Sequence, residues 1–403
     1  MTKTPGLQAM ALGHLIAYGK HIQYPHGVNT DVFPARSSLL RVLSEALDQG
    51  DLVLTEGSEE YRFGRGSKAE NHVHAAVRIK SQNFWVKVFL RNDLGFAEAY
   101  MDGDFESPDL KSVLYVTGYD CSNDFFKIFL SEDMTYSCAL WTDKIGGVRG
   151  DLEGNDNNDS LRDAQLNKIH HILELARIKQ GDRLLEFGSG WGSMAIEAAK
   201  KGCTVDTITL SVEQKRGAEE RIREAGLQDR ITVHLVDYRR LPPEFEGVFD
   251  AFVSVEMVEI VDWALKPNKG VAVIQLTTQP ESRYTVYQST DYARTYQWPN
   301  SFLPSATSFI STATSSTNGR LCLESTFDYG THYPRTLRDW RRRLQANWND
   351  ALAAKLRLRH SELASDEALE GFKRKWEYMC IYAEVGYARA YTSLHIISKI
   401  FGA

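Results

Sequence analysis

The chain has 403 residues, of which 43% are hydrophobic and 25% are charged. This length allows two domains that each bury a core, and the composition is ordinary for a globular protein in water. The formal net charge of -6 argues against nucleic acid as the main partner, because phosphate binding needs a broad basic surface. No window approaches the roughly 18 apolar residues that a membrane-spanning helix requires. We therefore expect a cytoplasmic protein that is at most peripheral to a membrane.

The residues that commonly bind metals form no convincing site. The five cysteines are scattered along the chain without a C-x-x-C pair, so neither a zinc site nor a disulfide framework is indicated. His72 and His74 share one face of a predicted strand, but two histidines without a third ligand are more typical of a surface than of a metal site. We expect no metal.

Residues 1–115 mix short helical and strand-like segments and predict a smaller N-terminal α/β domain, which would bind lipid or substrate or mediate dimerisation. Two of its segments, HVHAAVRI at 72–79 and FWVKVFL at 84–90, alternate well enough to be paired strands. The remaining residues, 116–403, predict a larger second domain.

The second domain shows a regular alternation of strands and helices. A polar, glycine-rich segment predicts a loop over 142–160, and apolar residues at helical spacing predict a helix over 161–178. The strands that follow are predicted at 183–187, 203–210, 231–237, 249–257 and 270–278. This order is typical of the α/β class, with a doubly wound, Rossmann-like parallel sheet covered by helices on both faces.

The segment RLLEFGSGWGSMAIEAAKKG (183–202) has three glycines between the first of these strands and a helix. Such a loop points backbone N–H groups and a helix N-terminus at a ligand. The dinucleotide fingerprint is G-x-G-x-x-G with an acid after the second strand, and that acid is missing here. The spacing E-x-G-x-G-x-G fits S-adenosylmethionine better than NAD. A tight packing turn without a ligand remains the alternative.

Several longer motifs together resemble the cyclopropane-fatty-acid synthase family, the class I S-adenosylmethionine-dependent methyltransferases that include the mycolic acid cyclopropane synthases. The resemblance extends from about residue 85 to the C-terminus. The motifs are FLSEDMTYSCALW (129–141), LLEFGSGWGSMAIEAA (184–199), TLSVEQ (209–214), DYR (237–239), SVEMVE (254–259), FLPS (302–305), HYPRTLRDW (332–340) and FKRKWEYMCIYAEVGY (372–387).

The resemblance implies S-adenosylmethionine as the cofactor and S-adenosylhomocysteine as its product. The residues implied for the floor of the cofactor site are Glu186, Gly188, Gly190 and Gly192. Those implied for the ribose or methionine part are Thr209, Ser211 and Gln214, and those for the adenine are Asp237 and Tyr238. A flap over the methionine end would consist of Tyr119, Ser122, Asn123, Tyr136 and Ser137.

The resemblance also implies the chemistry. An alkene attacks the sulfonium methyl group, a carbocation forms, and loss of a proton closes a cyclopropane. The cation needs aromatic faces or an anion nearby, and a bound bicarbonate acts as the base. The matching residues are Cys138, Glu259, Gln275, Thr277 and Tyr333. Gln275 replaces the histidine common in the family, and Cys138 is not expected to be a nucleophile, because no neighbouring base would lower its pKa.

Two departures leave the reaction open. The connection from Glu256 to Gly270 is short for a parallel crossover and predicts a helix of about two turns at 258–265, and Gly118 stands where the family has a histidine. Methyl or methylene transfer to the double bond of an unsaturated acyl lipid, polyketide or terpenoid is the main prediction. The alternatives are a cyclase or isomerase that keeps the cofactor intact, and a non-catalytic lipid-binding relative.

The segment TLRDWRRRLQANW predicts a helix with one apolar stripe and one basic side. The apolar residues are Leu337, Trp340, Leu344 and Trp348, and the basic ones are Arg338, Arg341, Arg342 and Arg343. A buried stripe with a solvated basic face is the simpler interpretation. The other is a patch for anionic lipid head groups or for the phosphate of a carrier protein.

Overall fold

The computed structural model describes two separate sheets, each with its own hydrophobic core. The described residues are 32–46, 51–63, 74–89, 99, 103–107, 123–155, 160–257, 262–288, 293–294, 297–298, 301–360 and 363–401. None of the described helices is both long and apolar enough to cross a membrane.

The smaller sheet lies in the N-terminal region and has the order β2-β1-β3-β4. Its strands are β1 (Asp51–Glu56), β2 (Glu59–Phe63), β3 (His74–Ile79) and β4 (Phe105–Glu106). Helix α1 (Val32–Ala46) and a helix at 83–89, α2, contribute apolar side chains to the same core. β1 and β3 are parallel, and the other two pairs are antiparallel.

The predicted strand at 84–90 is wrong, because residues 83–89 form helix α2. The adjacent side chains of Phe84 and Trp85 are both buried, at 4% and 0% exposure. A strand sends neighbouring side chains to opposite faces, so it could not bury both on one side of a small sheet. A turn in which the Trp85 N–H donates to the Gln82 carbonyl at 3.2 Å starts the helix instead. The other predicted strand is confirmed from residue 74 onward, and His72 lies outside the described residues.

The larger sheet has seven strands in the order β10-β11-β9-β8-β5-β6-β7. They are β5 (Arg183–Phe187), β6 (Thr204–Thr209), β7 (Ile231–Leu235), β8 (Ala251–Val255), β9 (Val271–Thr278), β10 (Leu321–Asp328) and β11 (Ser393–Phe401). The first five are parallel, and β11 is antiparallel to both of its neighbours. All five predicted strands are confirmed, whereas β10 and β11 were not predicted.

Helices α4 (Ser160–Leu175), α5 (Ser193–Lys200), α6 (Val212–Glu224) and α7 (Ala306–Ser316) cover the two faces of the larger sheet. Helices α3 (Asn123–Phe129), α8 (Tyr333–Asn347), α9 (Asp350–Arg359) and α10 (Asp366–Ala388) pack mainly on one another. Successive strand residues enter opposite cores: Leu184 packs with α4, α5 and α6, whereas Leu185 packs with α7. Burial on both faces explains the near-continuous apolar strands and confirms the predicted doubly wound α/β fold.

The strand order reverses between β5 and β8, because β6 and β7 continue to one side of β5 while β9 continues from β8 to the other. In such sheets ligands bind in the crevice at the carboxyl ends of the strands where the order reverses. We therefore expect the ligand site at the segments that follow β5, β8 and β9.

The connection between β8 and β9 differs from its prediction. Residues 258–261 lie outside the described part of the chain, and the next segment, Asp262–Ala264, is a single 3-10 turn. Leu265 then forms a parallel bridge with Phe249. The predicted α-helix is therefore wrong over the part of it that is described, because this backbone extends the sheet instead of covering it.

Helix α8 buries three of the four residues of the predicted apolar stripe, because Leu337, Trp340 and Leu344 are at most 2% exposed. Trp348 lies after the end of the helix and is only partly buried. The basic side is less solvated than expected. Arg338 donates to both carboxylate oxygens of Asp151 at 2.7 and 2.8 Å, and its side chain is 11% exposed. Arg338 therefore holds the loop before α4 against α8.

We predict that Asp151→Asn lowers the free energy of unfolding by about 3 kcal/mol, because loss of one partner leaves buried cations uncompensated. The Asp151 side chain has no exposed surface. Although burial alone would raise the pKa of Asp151, hydrogen bonds from Arg338 and Arg342 hold it below its usual value. Urea unfolding measures the change, with Asp229→Asn at an exposed site as the control. A loss below about 1 kcal/mol, as is usual for surface substitutions, would contradict the assignment.

Candidate active site

The glycine loop that follows β5 presents bare backbone to a cleft. Gly188, Gly190 and Gly192 all have left-handed φ angles, of 85°, 49° and 86°, which other residues rarely adopt. A Cβ atom added at Gly190 would have no atom within 4 Å, whereas one at Gly188 would lie 3.4 Å from the Met257 sulfur. The loop therefore borders open space on one side and the exit of β8 on the other.

Glu186, two residues before the loop, is a buried carboxyl group with one oxygen that lacks a donor among the described residues. It is 3% exposed, and its Oε2 atom has no hydrogen-bond partner among the described residues. Burial raises the pKa of Glu186 to about 8, although the Thr207 hydroxyl and the charge of Lys168 act to lower it. Unpaired buried carboxyl oxygens are costly, and the ammonium group of an amino-acid ligand would satisfy this one. The site therefore fits the methionine part of S-adenosylmethionine.

The residues predicted for the ribose or methionine part of the cofactor lie together at the end of β6. The Thr209 hydroxyl donates to Gln214 Oε1 at 2.9 Å. Ser211 caps α6 by accepting from the Gln214 N–H at 3.2 Å, as its position before the helix predicts. At the end of β7, the Asp237 carboxylate accepts from the Arg239 guanidinium at 2.8 and 2.9 Å. Tyr238 lies 5.9 Å from the Phe187 ring, centre to centre.

The predicted flap is only partly described, because Tyr119 and Ser122 lie outside the described residues. Asn123 is held on both sides of its amide: Nδ2 donates to Glu213 and Oδ1 accepts from Trp191 Nε1 at 2.8 Å. This contact holds the start of α3 against the glycine loop and the start of α6.

The other two flap residues are anchored in the protein. The Ser137 hydroxyl accepts from Lys168 Nζ at 2.7 Å. The Tyr136 ring stacks on Trp340 with 5.0 Å between centres. These contacts make the segment a fixed wall of the site.

Lys168 is a buried cation that the sequence analysis did not single out. It is 3% exposed, and burial lowers its pKa to about 8, while the nearby carboxyl groups, including Glu186 and Glu256, act to raise it. The sequence does indicate that Lys168 is buried, because it occupies the same helical stripe of α4 as the buried Leu161 and Ile172. A lysine on an apolar helix face is seldom buried without a partner.

Two of the predicted catalytic residues converge on an acid that was not predicted. Gln275 Nε2 donates to Glu256 Oε1 at 3.1 Å, and the Thr277 hydroxyl donates to Glu256 Oε2 at 3.0 Å. Glu259, the glutamate that was predicted, lies outside the described residues. Glu256 is exposed, while the protein around its carboxyl group raises its pKa. We call the region between Glu256, Gln275, Thr277, Tyr333 and Tyr387 the recess.

Two tyrosines complete the wall of this recess. Tyr333 and Tyr387 stack with 4.3 Å between ring centres, and the Tyr387 hydroxyl lies 2.8 Å from Thr277 Oγ1. Because the single hydroxyl proton of Thr277 goes to Glu256, Tyr387 must donate to Thr277. Burial raises the pKa of both tyrosines, and the charge of Glu256 raises it further.

Cys138 lies near the same recess on a segment fastened to α8. The Thr336 hydroxyl oxygen accepts from the Ala139 N–H at 3.2 Å and from Trp141 Nε1 at 3.0 Å. Burial raises the pKa of the Cys138 thiol, and Glu256 raises it further. A thiol with a raised pKa is a weaker nucleophile at neutral pH, because the thiolate is the reactive form.

Comparison with known proteins identifies the family. A sequence model described as mycolic acid cyclopropane synthetase matches residues 110–362. The chain belongs to this family. It is 31% identical over 354 residues to the tuberculostearic acid methyltransferase UfaA1 of Mycobacterium tuberculosis, covering 75% of this chain and 77% of that protein. It is 28% identical over 353 residues to the cyclopropane-fatty-acyl-phospholipid synthase of Escherichia coli, covering 75% and 82%.

A solved structure agrees with this assignment. The cyclopropane synthase MmaA2 from Mycobacterium tuberculosis matches with a TM-score of 0.57 and 22% identity over 70% of this chain and 95% of that one. At this identity the likeness establishes the fold alone. The predicted family and the class I methyltransferase fold are confirmed. With them the predicted enzyme class is confirmed, an S-adenosylmethionine-dependent C-methyltransferase of the cyclopropane synthase type.

We predict that Glu186→Gln weakens binding of S-adenosylhomocysteine about tenfold or more, because a hydrogen bond to a charged group contributes about 1.5–3 kcal/mol. In the unsubstituted protein the affinity should rise from pH 6.5 to pH 8, since the pKa of Glu186 is raised to about 8 and only the ionised form attracts the ligand's ammonium group. Titration calorimetry measures both effects, with Glu220→Gln on the exposed side of α6 as the control. Equal affinities, or the same pH dependence in the variant, would contradict this role.

Proposed function

We propose that this protein transfers a one-carbon unit from S-adenosylmethionine to a carbon–carbon double bond of an unsaturated fatty acyl lipid. The observation that carries the proposal is the contact between the glycine loop and the acid-lined recess. Met257 packs against Gly188, and the preceding residue is Glu256. A cofactor above the loop would therefore place its methyl group beside the recess.

The residues of the recess suit a reaction in which positive charge develops on an acyl chain. The bound cofactor would supply an electrophilic methyl group. The faces of Tyr333 and Tyr387 and the carboxylate of Glu256 would stabilise a cation on the neighbouring carbon. Lys168 and Glu186 lie on the cofactor side, where they balance the charges of the ligand's amino-acid part. These roles remain proposals for the individual residues.

The relatives support an acyl lipid over a polyketide or a terpenoid. Their names specify tuberculostearic acid methylation and cyclopropane formation on a fatty-acyl phospholipid. A third relative is named as a sphingolipid C9-methyltransferase and is 32% identical over 36% of this chain. Contact with a carrier protein, a homodimer and the role of the N-terminal domain stay predictions.

The decisive experiment incubates the purified protein with isotopically labelled S-adenosylmethionine and vesicles of a monounsaturated phospholipid. We expect a labelled acyl chain heavier by one methylene unit, together with one equivalent of S-adenosylhomocysteine. Saturated phospholipid is the matched control. An isomerised lipid of unchanged mass without S-adenosylhomocysteine would support the cyclase or isomerase instead. Lipid binding without cofactor binding would support the non-catalytic alternative.

We further propose that the segment after β9 touches the lipid surface. Val286 and Tyr287 are 82% and 85% exposed, and they lie in the segment that follows the carboxyl end of β9. Neighbouring exposed apolar side chains are typical of interaction sites. A membrane contact here would bring acyl chains to the entrance of the recess.

Replacing both Val286 and Tyr287 with serine should lower activity on phospholipid vesicles at least about tenfold and leave activity on detergent-dispersed lipid within about twofold, since burial of each large apolar side chain contributes about 1.5–3 kcal/mol. Vesicle co-sedimentation should fall in parallel. Leu358→Ser, at a site that is 88% exposed on α9, is the control. Unchanged vesicle binding in the double variant would refute the contact.

A further inference from the structure

We propose that Lys168 is a positioning residue of the cofactor site, which aims the Ser137 hydroxyl at the carboxylate of the cofactor's amino-acid end while Glu186 receives the ammonium group. The amino-acid end is thereby divided between two buried groups of opposite charge. This inference rests on the binding of S-adenosylmethionine, and it stands whether or not the methylated substrate is the proposed acyl lipid.

Lys168 reaches from α4 to the segment that contains Ser137. Its Nζ atom donates to the Ser137 hydroxyl oxygen at 2.7 Å, and both side chains are 3% exposed. An ammonium group has donors only, so the serine oxygen accepts in this contact and its own proton points elsewhere. That proton has no acceptor among the described residues, and a buried donor needs one. A carboxylate oxygen of the ligand would supply it.

The same helix also fixes the backbone at Ser137. Gln165 lies one turn before Lys168 on α4 and is completely buried. Its Nε2 atom donates to the Ser137 carbonyl at 2.8 Å. Residues three apart lie on the same side of a helix, so α4 holds both the carbonyl and the hydroxyl group of this serine. The direction of the remaining hydroxyl proton is therefore set before a ligand binds.

Lys168 and Glu186 bring charges of opposite sign to one site. Lys168 acts to lower the pKa of Glu186, and Glu186 acts to raise the pKa of Lys168. Lys168 nevertheless leaves Glu186 Oε2 without a hydrogen bond, so this oxygen is available to the ligand's ammonium group. An amino acid carries an ammonium and a carboxylate group on one carbon, and charge-assisted hydrogen bonds to both would fix its orientation.

The alternative is that Lys168 only neutralises the acids that surround it. Burial lowers its pKa to about 8, and the groups whose charges act to raise it are Asp133, Cys138, Glu256 and Glu186. The side chain is therefore a cation at neutral pH on either view. A counter-ion of that kind would stabilise the folded chain, but it would not distinguish between ligands that differ only in their carboxylate group.

The test measures the binding of three ligands at neutral pH by titration calorimetry. They are S-adenosylhomocysteine, its decarboxylated analogue, which keeps the ammonium group, and its deaminated analogue, which keeps the carboxylate. Lys168→Met should weaken S-adenosylhomocysteine and the deaminated analogue about tenfold or more, because a hydrogen bond to a charged group is lost. It should change the affinity for the decarboxylated analogue less than about threefold. Glu186→Gln should show the opposite preference.

Two controls separate ligand recognition from folding. Methylthioadenosine lacks both charged groups and should bind each variant within about twofold of the unsubstituted protein. Lys201→Met, at an exposed site, is the matched control for the loss of a lysine.

Ser137→Ala tests the same contact from the other side, and it decides the question if the lysine variant does not fold. It should show the ligand preference of Lys168→Met. Because the two side chains act as one unit, the double variant should lose less affinity than the product of the two single losses.

Equal losses for the decarboxylated and the deaminated analogue in Lys168→Met, or weaker binding of methylthioadenosine, would overturn the assignment and leave Lys168 as a structural counter-ion. Unchanged affinity for S-adenosylhomocysteine in Ser137→Ala would overturn it as well. Failure to methylate unsaturated phospholipid would overturn the proposed function and leave these binding measurements unaffected.

Discussion

The site depends on one contact, the packing of the segment that leaves β8 against the glycine loop that leaves β5. Gly188 can lie against Met257 because it has no side chain and adopts a left-handed φ. The neighbouring Glu256 is thereby placed at the edge of the cofactor cleft, with its carboxylate held by two side chains of β9. Three adjacent strands thus meet at one point, and the chemistry follows from that meeting.

The electrostatics around this point are unusually concentrated. Lys168 and Glu186 are each 3% exposed, whereas Glu256 is exposed. The protein around these groups shifts the pKa of each toward its neutral form. Charges in such surroundings interact far more strongly than at a surface. A sulfonium ligand with an ammonium group would enter a site that already holds two acidic groups, so the protein's own charges favour that ligand.

Much of the fold could be predicted from the sequence, because the signals were local and strong. Apolar strands that alternate with helices and a glycine loop after the first of them define a doubly wound sheet. Strand β10 escaped prediction because it is largely exposed and lacks a buried apolar run. Strand β11 is mostly buried and was not singled out. The misassigned helix α2 shows the limit of alternation in a short apolar run, since FWVKVFL suits either structure until its neighbours are known.

The site was less predictable for a geometric reason. The motif SVEMVE carries two glutamates three residues apart, and family resemblance selects the second. Which one meets Gln275 depends on the left-handed backbone at Glu256, a conformation that no sequence pattern signals for a glutamate and that costs about 1–2 kcal/mol. The partners of Lys168 and Tyr387 could not be predicted for a different reason, because they come from distant parts of the chain.

A crystal structure with S-adenosylhomocysteine tests the account most directly. We expect the nucleoside over the loop from Gly188 to Gly192, with the ligand's ammonium group within hydrogen-bond distance of the buried Glu186 Oε2 atom. A ligand bound away from this loop, or an ammonium group remote from Glu186, would contradict the account.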